Sequence, residues 1–192
     1  LSTRVSHSQS LVEIGERTGD ALKPYEKNVG KYVMMPAPAA KRHVEVEKRT
    51  VALREYAENC SLNIVEDNGA KIGVITAGIS YMYAKEALGD KVNYLKLGMV
   101  WPLPEKLIRD FAAKVDKLYV VEELDPFIEE HCKALGLDVI GKEAFTLQGE
   151  YSQSIIAKVI LGKENESLKC DVNIVPRPPV LCAGCPHRGL FY

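Results

Sequence analysis

The sequence predicts an α/β sandwich built on a mainly parallel sheet. Between residues 71 and 161, short apolar runs alternate with amphipathic stretches, at spacings that fit strands and crossover helices in turn. The apolar runs are too short and too uniformly apolar for a sheet with one face in water. Because parallel strands are joined by right-handed crossovers, we expect helices on both faces and therefore three layers.

The elements follow one another in a regular order. A first helix is predicted over roughly residues 45–60, where Leu53, Tyr56, Ala57 and Cys60 recur at helical spacing among charged residues. Beyond it the pattern predicts strands at KIGVITAG, VNYLKLG, KLYVVEE and LDVIG. Helices are predicted between and after these strands, at ISYMYAKEALG, PEKLIRDFAAKV, PFIEEHCKALG and SQSIIAKVILG, with prolines or glycines at several of their ends.

These elements divide the chain into three parts. Residues 45–165 are predicted to form one α/β domain, and residues 166–192 form a tail. Residues 1–44 are uneven and include YVMMPAPAAKRH, whose prolines, small residues and basic end are typical of an exposed connector. The chain has 192 residues, begins with Leu1 rather than methionine, and stops just after a motif. We therefore expect an internal fragment of a longer protein.

Composition excludes several functional classes. The 25 basic and 26 acidic residues give a net charge of -1, which argues against nucleic acid or an anionic membrane surface as a partner. No run reaches the about 18 apolar residues of a membrane-spanning helix. Five scattered cysteines do not suggest a disulfide framework, and no export signal opens the chain. We expect a protein of the reducing cytoplasm.

Three turns follow predicted strands, where ligands bind in open α/β sheets. In TAGIS, one glycine and a helix start could hold a phosphate or a carboxylate, although a tight turn is the favoured interpretation. In GMVWPLPE, Trp101 could form the wall of a cleft or interface, or pack at the edge of the core. In VEELDPF, Glu122, Glu123 and Asp125 could bind a metal or act as acid and base. Capping of the next helix by Asp125 is the favoured interpretation there.

The tail carries a cysteine motif, RPPVLCAGCPHRGLFY. Cys182 and Cys185 have the spacing of metal ligands, and Cys170 and His187 would complete a possible zinc set. A thioredoxin-like pair would need a strand before it and a helix after it. A c-type haem would need a histidine where Pro186 stands, so that alternative is discarded.

Several stretches together resemble one family. TRVSHS, NIVEDNGAKIGVITAGISYMYAKEALG, LKLGMVWPLPEKLI, LYVVEELDPFIEE, GEYS and LCAGCPHRGLFY are similar, in order and spacing, to the alpha subunits of indolepyruvate:ferredoxin oxidoreductases. The resemblance implies a thiamine-diphosphate enzyme that decarboxylates indolepyruvate and other aryl pyruvates oxidatively. The expected product is aryl-acetyl-CoA, and ferredoxin is the expected electron acceptor. The expected partner is a beta subunit of the same enzyme.

The same resemblance implies a domain layout and site residues. Residues 1–44 would end an N-terminal thiamine-type domain, residues 45–165 would be transketolase C-terminal-like, and residues 166–192 would open the domain that binds thiamine diphosphate. In that tail it implies cofactor contacts for Gly184, Cys185, His187 and Arg188, and 4Fe-4S ligation by Cys182 and Cys185. The catalytic acid and the Mg2+-bound diphosphate site are expected outside this chain.

Two rival hypotheses from other functional classes stay open at this point. The α/β domain could be a non-catalytic structural module that contacts other subunits. Alternatively, the chain could be a small CxxC metal or thiol protein. If the chain is instead part of the oxidoreductase, these 192 residues alone are expected to be inactive.

Overall fold

The computed structural model describes residues 11, 13–16, 19, 21–166, 171–173, 181 and 184–191. Its helices are α1 (Val29–Tyr32), α2 (Pro36–Glu58), α3 (Gly78–Leu88), α4 (Glu105–Ala112), α5 (Phe127–Ala134), α6 (Gln153–Leu161) and α7 (Arg188–Phe191). Its strands are β1 (Ile64–Glu66), β2 (Ile72–Ala77), β3 (Asn93–Leu97) and β4 (Lys117–Val121). Within the described part of the chain, no helix combines the length and the apolar character that crossing a membrane requires.

The four strands form one sheet in the order β1-β3-β2-β4. β2 lies at the centre and pairs in parallel with β3 and β4, so that Val74 stands opposite Tyr94 and Tyr119. β1 pairs antiparallel with β3 at one edge. The predicted α/β class with a mainly parallel sheet is therefore confirmed.

Side chains alternate along the strands and build one core on each face of the sheet. On one face, Val74 and Tyr94 pack with Tyr83 of α3 and Ile156 of α6. On the other, the main residues come from the alternate strand positions and from α4 and α5: Ile75, Leu95, Val120, Ile108, Phe111 and Ile128. Helices thus cover both faces, which gives the three layers that the alternating pattern predicts.

The predicted fourth strand, LDVIG, is wrong as a strand. Among the described residues, it pairs through a single parallel bridge between Tyr119 and Ile140. The backbone leaves the sheet at Gly141, where a β-carbon would lie 2.1 Å from Oε2 of Glu129. The N–H of Lys142 donates to that same oxygen at 2.7 Å. The chain therefore turns away from the sheet to satisfy a buried carboxylate.

The predicted connector YVMMPAPAAKRH is also wrong over its last eight residues, which are helical. Helix α2 begins at Pro36, nine residues before the predicted start at residue 45. Proline is well tolerated in the first turn of a helix, where its missing N–H has no partner to lose, and the following alanines favour helix. Ala57 is the only buried residue of α2, while Tyr56, predicted on the same face, is 58% exposed.

The C-terminal end of α2 is tied to the domain by a carboxylate. Glu58 accepts hydrogen bonds from the N–H groups of Lys106 and Leu107, both at 2.9 Å. These N–H groups belong to the first turn of α4, which has no side-chain cap of its own because Pro104 occupies the N-cap position. Glu58 therefore caps α4 from a helix that lies almost 50 residues away in sequence.

Candidate functional site

A cleft of about 1030 Å³ opens at the carboxyl ends of β2, β3 and β4. Its walls come from residues 77–80, 96–98 and 122–124, with a further contribution from residues 149–150. The first three segments belong to the three turns that the sequence marks as candidate sites. The structure thus brings the predicted turns together around one cavity, as expected for parallel strands whose carboxyl ends share an edge.

The TAGIS turn forms the first wall. Gly78 has a φ of 57°, a conformation that favours glycine, and it begins α3 without a side-chain cap from Ala77. The buried hydroxyl of Thr76 donates to the carbonyl of Val121 at 2.8 Å and thereby joins the ends of β2 and β4. This geometry explains the glycine as a requirement of the turn.

The second wall requires a glycine for a different reason. A β-carbon on Gly98 would lie 2.4 Å from the carbonyl oxygen of Leu62. The N–H groups of Gly98 and Met99 both donate to Oδ1 of Asn63 at 3.0 Å. The segment before β1 is therefore locked against the end of β3, and this wall of the cleft is rigid.

Trp101 lies beside the cleft, next to the lining residue Phe127, and does not itself line it. Its side chain is 58% exposed. Its ring centroid lies 6.1 Å from that of Phe127 and 6.3 Å from that of His131, the latter pair in an edge-to-face arrangement. The structure therefore does not make Trp101 a wall of the cleft, and a role for it at an interface stays a prediction.

The predicted cap of α5 by Asp125 is wrong. The carboxylate of the buried Glu122 accepts hydrogen bonds from the N–H groups of Ile128 and Glu129, at 2.8 Å and 2.9 Å. Pro126 occupies the N-cap position, and Asp125 lies exposed on the surface. Sequence proximity favoured Asp125, but the chain reverses direction so that the end of β4 faces the helix start. Burial raises the pKa of Glu122, although the two N–H groups and Lys142 oppose that shift.

A network of polar groups continues from Glu122 into the 149–150 wall. Nζ of Lys142 donates to the carbonyl of Glu122 and to the hydroxyl of Tyr151, the latter at 2.8 Å. The N–H of Tyr151 donates to Oε1 of Glu123 at 2.7 Å, and its hydroxyl donates to the carbonyl of Thr146 at 2.9 Å. Burial lowers the pKa of Lys142. Glu122 and Glu123 therefore hold the cleft wall together, and they do not converge as a pair of metal ligands.

Two more charged residues complete this network beneath the cleft. Glu129 is buried and accepts hydrogen bonds from Nζ of Lys133 at 2.6 Å and from the N–H of Lys142. Although burial works to raise the pKa of Glu129, these donors outweigh it and the pKa is lowered. The sequence analysis did not anticipate this contact between Glu129 and the distant Lys142.

The tail motif is only partly within the described residues. Cys182 and Cys170 lie outside them, so the predicted zinc, cluster and thiol-pair arrangements stay predictions. Sγ of Cys185 lies 3.4 Å from Nδ1 of His187, and Gly184 has a φ of 80°. Arg188 is the first residue of α7.

No metal site is formed by the residues that the structure describes. No group of three or more histidine, cysteine, aspartate or glutamate side chains comes together among them. The free thiols of Cys60 and Cys132 are buried, and Cys185 is half-buried in a different part of the chain. These residues do not fit a cluster held by four thiolates.

Comparisons with known proteins agree on one family. The family model described as indolepyruvate oxidoreductase domain matches residues 62–139. Indolepyruvate oxidoreductase subunit IorA of Archaeoglobus fulgidus is 35% identical over 99% of this chain, and that of Methanothermobacter thermautotrophicus is 36% identical over all of it. IorA of Thermococcus kodakarensis is 33% identical, also over the whole chain. The chain spans 34% of the length of each of these relatives.

A solved structure supports the fold. A 2-oxoglutarate:ferredoxin oxidoreductase from Magnetococcus marinus, with 2-oxoglutarate, coenzyme A and succinyl-CoA bound, superimposes with a TM-score of 0.50 at 19% identity. The match covers 67% of this chain and 24% of that one. At 19% identity this structural likeness shows the fold alone. The matches to the IorA subunits, at 33–36% identity, are the ones that indicate a family. The family resemblance indicated by the motifs is confirmed: along its length this chain is similar to about a third of the indolepyruvate oxidoreductase subunit IorA of several organisms.

Proposed function

We propose that this chain is part of an enzyme that oxidatively decarboxylates indolepyruvate and other aryl pyruvates. The product would be an aryl-acetyl-CoA, and ferredoxin would accept the electrons. The observation that carries the proposal is the alignment of 99–100% of the chain with IorA subunits at 31–36% identity. Since those relatives are named as subunits, the proposal includes a companion beta subunit. The solved 2-oxoglutarate:ferredoxin oxidoreductase supports the fold of this domain and carries no weight for its chemistry.

The cofactors belong to the proposal as well. Thiamine diphosphate with Mg2+ would supply an electron sink when carbon dioxide leaves, and 4Fe-4S clusters would carry the electrons. The described residues fit neither a cluster nor a metal-bound diphosphate, so we derive no step through these groups. We propose only that Gly184, Cys185, His187 and Arg188 lie beside the thiamine cofactor, and that Cys182 and Cys185 are candidate thiolate ligands.

A structural role for the α/β domain is a second candidate. Helix α2 has 23 residues, of which Ala57 is the only buried one, so most of its surface is open to a neighbour. The neighbouring aromatic side chains of Trp101 and Phe127 are also exposed, which favours the same interpretation. In this interpretation the domain contacts subunits and contributes no group to the reaction. The two candidates differ in whether changes at the cleft and tail alter turnover or only assembly.

A chimaera tests the proposal with the chain as it exists. The matching third of Archaeoglobus fulgidus IorA would be replaced by these 192 residues and co-produced with its companion subunit. Ferredoxin reduction that depends on indolepyruvate and CoA is expected in the chimaera, and none is expected from the 192-residue chain alone. The parent enzyme and a version lacking the segment are the controls. A chimaera that folds and assembles but reduces no ferredoxin with any 2-oxo acid would contradict the proposal.

The same chimaera tests the tail residues. His187→Ala and Arg188→Ala should each lower turnover, by about 100-fold if the lost group stabilises changing charge at the cofactor. Asp125→Ala is the matched control, because its side chain is exposed and caps no helix. If Asp125→Ala abolished turnover without loss of stability while the other two were silent, the reacting groups would face the acidic turn.

A further inference from the structure

We infer that the start of helix α3 binds the carboxylate of a small molecule with an apolar body. The N–H groups in the first turn of a helix have no partner within the helix, and they favour a negatively charged ligand. In the 11-residue α3 this turn begins with Gly78, Ile79 and Ser80, and all three residues line the cleft. The inference concerns a binding site and does not depend on the reaction proposed above.

The start of α3 differs from the starts of the other helices that cover the sheet. Glu58 caps α4, and Glu122 caps α5. At the start of α6 the hydroxyl of Ser152 accepts the N–H of Ile155 at 3.4 Å. Ala77 at the N-cap of α3 has no acceptor to offer, and no other side chain of the described residues takes its place. The helix start that lacks a cap thus faces the cleft, where a ligand can supply the acceptor.

A buried hydroxyl points to a ligand independently of the helix start. Ser80 is only 3% exposed, yet it lines the cleft, and its hydroxyl forms no hydrogen bond with any residue that the structure describes. Its oxygen is not sealed inside the core, so it is reached from the cleft. Buried polar groups nearly always have a hydrogen-bond partner. The hydroxyl of Ser80 can therefore donate to the same ligand oxygens that the helix start attracts.

Lys96 supplies a positive charge beside this helix start. It stands opposite Thr76 in the sheet, two residues before Gly78, and it is the only cation among the described lining residues. Its Nζ lies 5.3 Å from the ring centroid of Tyr81 in α3. None of the ion pairs between described residues includes Lys96. Its ammonium group therefore has no carboxylate of the described residues to compete with an anionic ligand.

The glutamates in the cleft limit the charge that such a ligand can carry. Glu122, Glu123 and Glu150 line the cleft. The carboxylate of Glu122 is held by the N–H groups that begin α5, and that of Glu123 by the N–H of Tyr151. Any repulsion that these carboxylates still exert is about twice as strong for a dianion as for a monoanion, because the Coulomb energy is proportional to charge. A carboxylate is therefore favoured over a phosphate.

The apolar side chains of the cleft select the rest of the ligand. A pocket with mostly apolar walls and a few donors at one place binds a ligand by its polar end and covers its apolar part. Large apolar side chains line the cleft around the start of α3: Ile79, Met82, Leu97, Val100, Leu124 and Phe127. The ligand class is thus a small monocarboxylate whose body is apolar.

Nuclear magnetic resonance detects binding at this site directly. Hexanoate is titrated into the isotope-labelled 192-residue chain. Hexanamide, which has the same shape without the charge, and inorganic phosphate are the matched probes. Hexanoate should move the N–H proton signals of Gly78, Ile79 and Ser80 downfield and to saturation, because hydrogen bonds to a charged oxygen are short and strong. The dissociation constants of hexanamide and phosphate should be at least about tenfold higher.

Substitutions test the two side chains. Ser80→Ala removes the hydroxyl and keeps the helix start, so the dissociation constant of hexanoate should rise about tenfold. Lys96→Gln should raise it about threefold, because solvent screens part of the charge of Lys96. Ser61→Ala is the matched control and should leave it unchanged, since Ser61 is exposed and does not line the cleft. The spectrum of each variant shows whether it is folded, and the comparison of hexanoate with hexanamide needs no variant.

Four results would overturn the inference. Equal affinities for hexanoate and hexanamide would make the cleft an apolar cavity without an anion site. Phosphate binding as tight as that of hexanoate would make it a general anion site. Shifts confined to N–H groups outside Gly78, Ile79 and Ser80 would place the carboxylate elsewhere. Equal affinities of Ser80→Ala and Ser61→Ala for hexanoate would leave the buried hydroxyl without a part in binding.

Discussion

Replacing Glu122 with alanine should destabilise the domain far more than replacing Asp125. The two residues lie in the same acidic turn, and local sequence rules choose Asp125 as the helix cap. In the structure the carboxylate of Glu122 accepts both capping hydrogen bonds, from the N–H groups of Ile128 and Glu129. The pair of substitutions therefore separates a cap chosen by sequence position from a cap chosen by geometry.

The magnitude follows from what the substitution leaves behind. Glu122→Ala strands two buried N–H groups, each of which costs about 1–3 kcal/mol without a partner. Part of this is offset, because burial of the carboxylate raises the pKa of Glu122 and the ionised form is itself penalised. We expect a net loss of about 2 kcal/mol and a fall in Tm of roughly 5–10 °C. The exposed Asp125 should change the stability by no more than about 0.5 kcal/mol.

The assay is urea unfolding followed by circular dichroism, with Tm from calorimetry. Glu122→Gln is the intermediate variant, since its amide keeps one acceptor oxygen but loses the charge. The difference in stability between this variant and the unmodified chain should also depend on pH in a definite direction. Because the folded-state pKa of Glu122 lies above its unfolded value, the folded state binds the proton more tightly. The advantage of glutamate over glutamine should therefore be largest at acidic pH and decline as the pH rises through the folded pKa.

The result that would refute this reasoning is equally specific. If Asp125→Ala lowered Tm as much as Glu122→Ala, or more, the helix would be capped as the sequence suggests. If Glu122→Ala left Tm unchanged, the two N–H groups would have other partners and the carboxylate would hold no part of the cleft wall.

Three further predictions concern other parts of the domain. Gly98→Ala should cost about 1–3 kcal/mol in urea unfolding, because its β-carbon would lie 2.4 Å from a backbone carbonyl oxygen, whereas the control Gly30→Ala, with its nearest neighbour at 3.9 Å, should be neutral or slightly stabilising. Hydrogen bonds from Lys85 and Tyr81 lower the pKa of Glu66 below 4.5. The ionised carboxylate of Glu66 therefore stabilises the folded state above that pH, and this stabilisation is lost as the pH falls through the folded-state pKa. The difference in free energy of unfolding between the unmodified chain and Glu66→Gln should shrink as the pH falls from about 7 to about 3. A difference that stays constant over this range would contradict the prediction. Burial raises the pKa of Cys132 to about 12, so iodoacetamide at about pH 8 should alkylate Cys185 well before Cys132 in the folded chain, as read by mass spectrometry of the digested protein. Comparable labelling of both thiols would show that the core around α5 opens.

The elements that sequence could predict are those determined by local periodicity. The central strands are short, nearly continuous apolar runs, and apolar residues recur every third or fourth position in α3 to α6. The observed bounds of these elements agree closely with the predicted ones. Gly89 and Gly162, which directly follow α3 and α6, end these helices in positive-φ conformations that their sequence position already suggested. Core membership of residues such as Ile108 follows from the same pattern.

The elements that sequence could not predict depend on contacts between distant residues. Strand β1 has only three residues and shows no alternation of apolar and polar residues. It forms because it pairs with β3, with Val65 opposite Leu95. The segment around Ile140 has strand-like composition, yet the buried carboxylate of Glu129 turns the backbone away after one bridge. One signal for the true cap of α5 was available. Pro126 can supply neither a side-chain acceptor nor its own N–H, so a carboxylate from elsewhere was needed.

The same rule operates twice in this domain, and it explains how the outer parts are positioned. Both α4 and α5 begin after a proline at the N-cap, and neither has a side-chain cap of its own. Glu58 from α2 supplies the acceptor for α4, and Glu122 from the end of β4 supplies it for α5. A helix start without a cap attracts a carboxylate, because its N–H groups and the helix dipole favour negative charge. Glu58 thus fixes the position of the otherwise exposed α2, and Glu122 fixes the shape of the cleft wall. Both contacts join residues of different elements, which explains why neither could be predicted from local patterns.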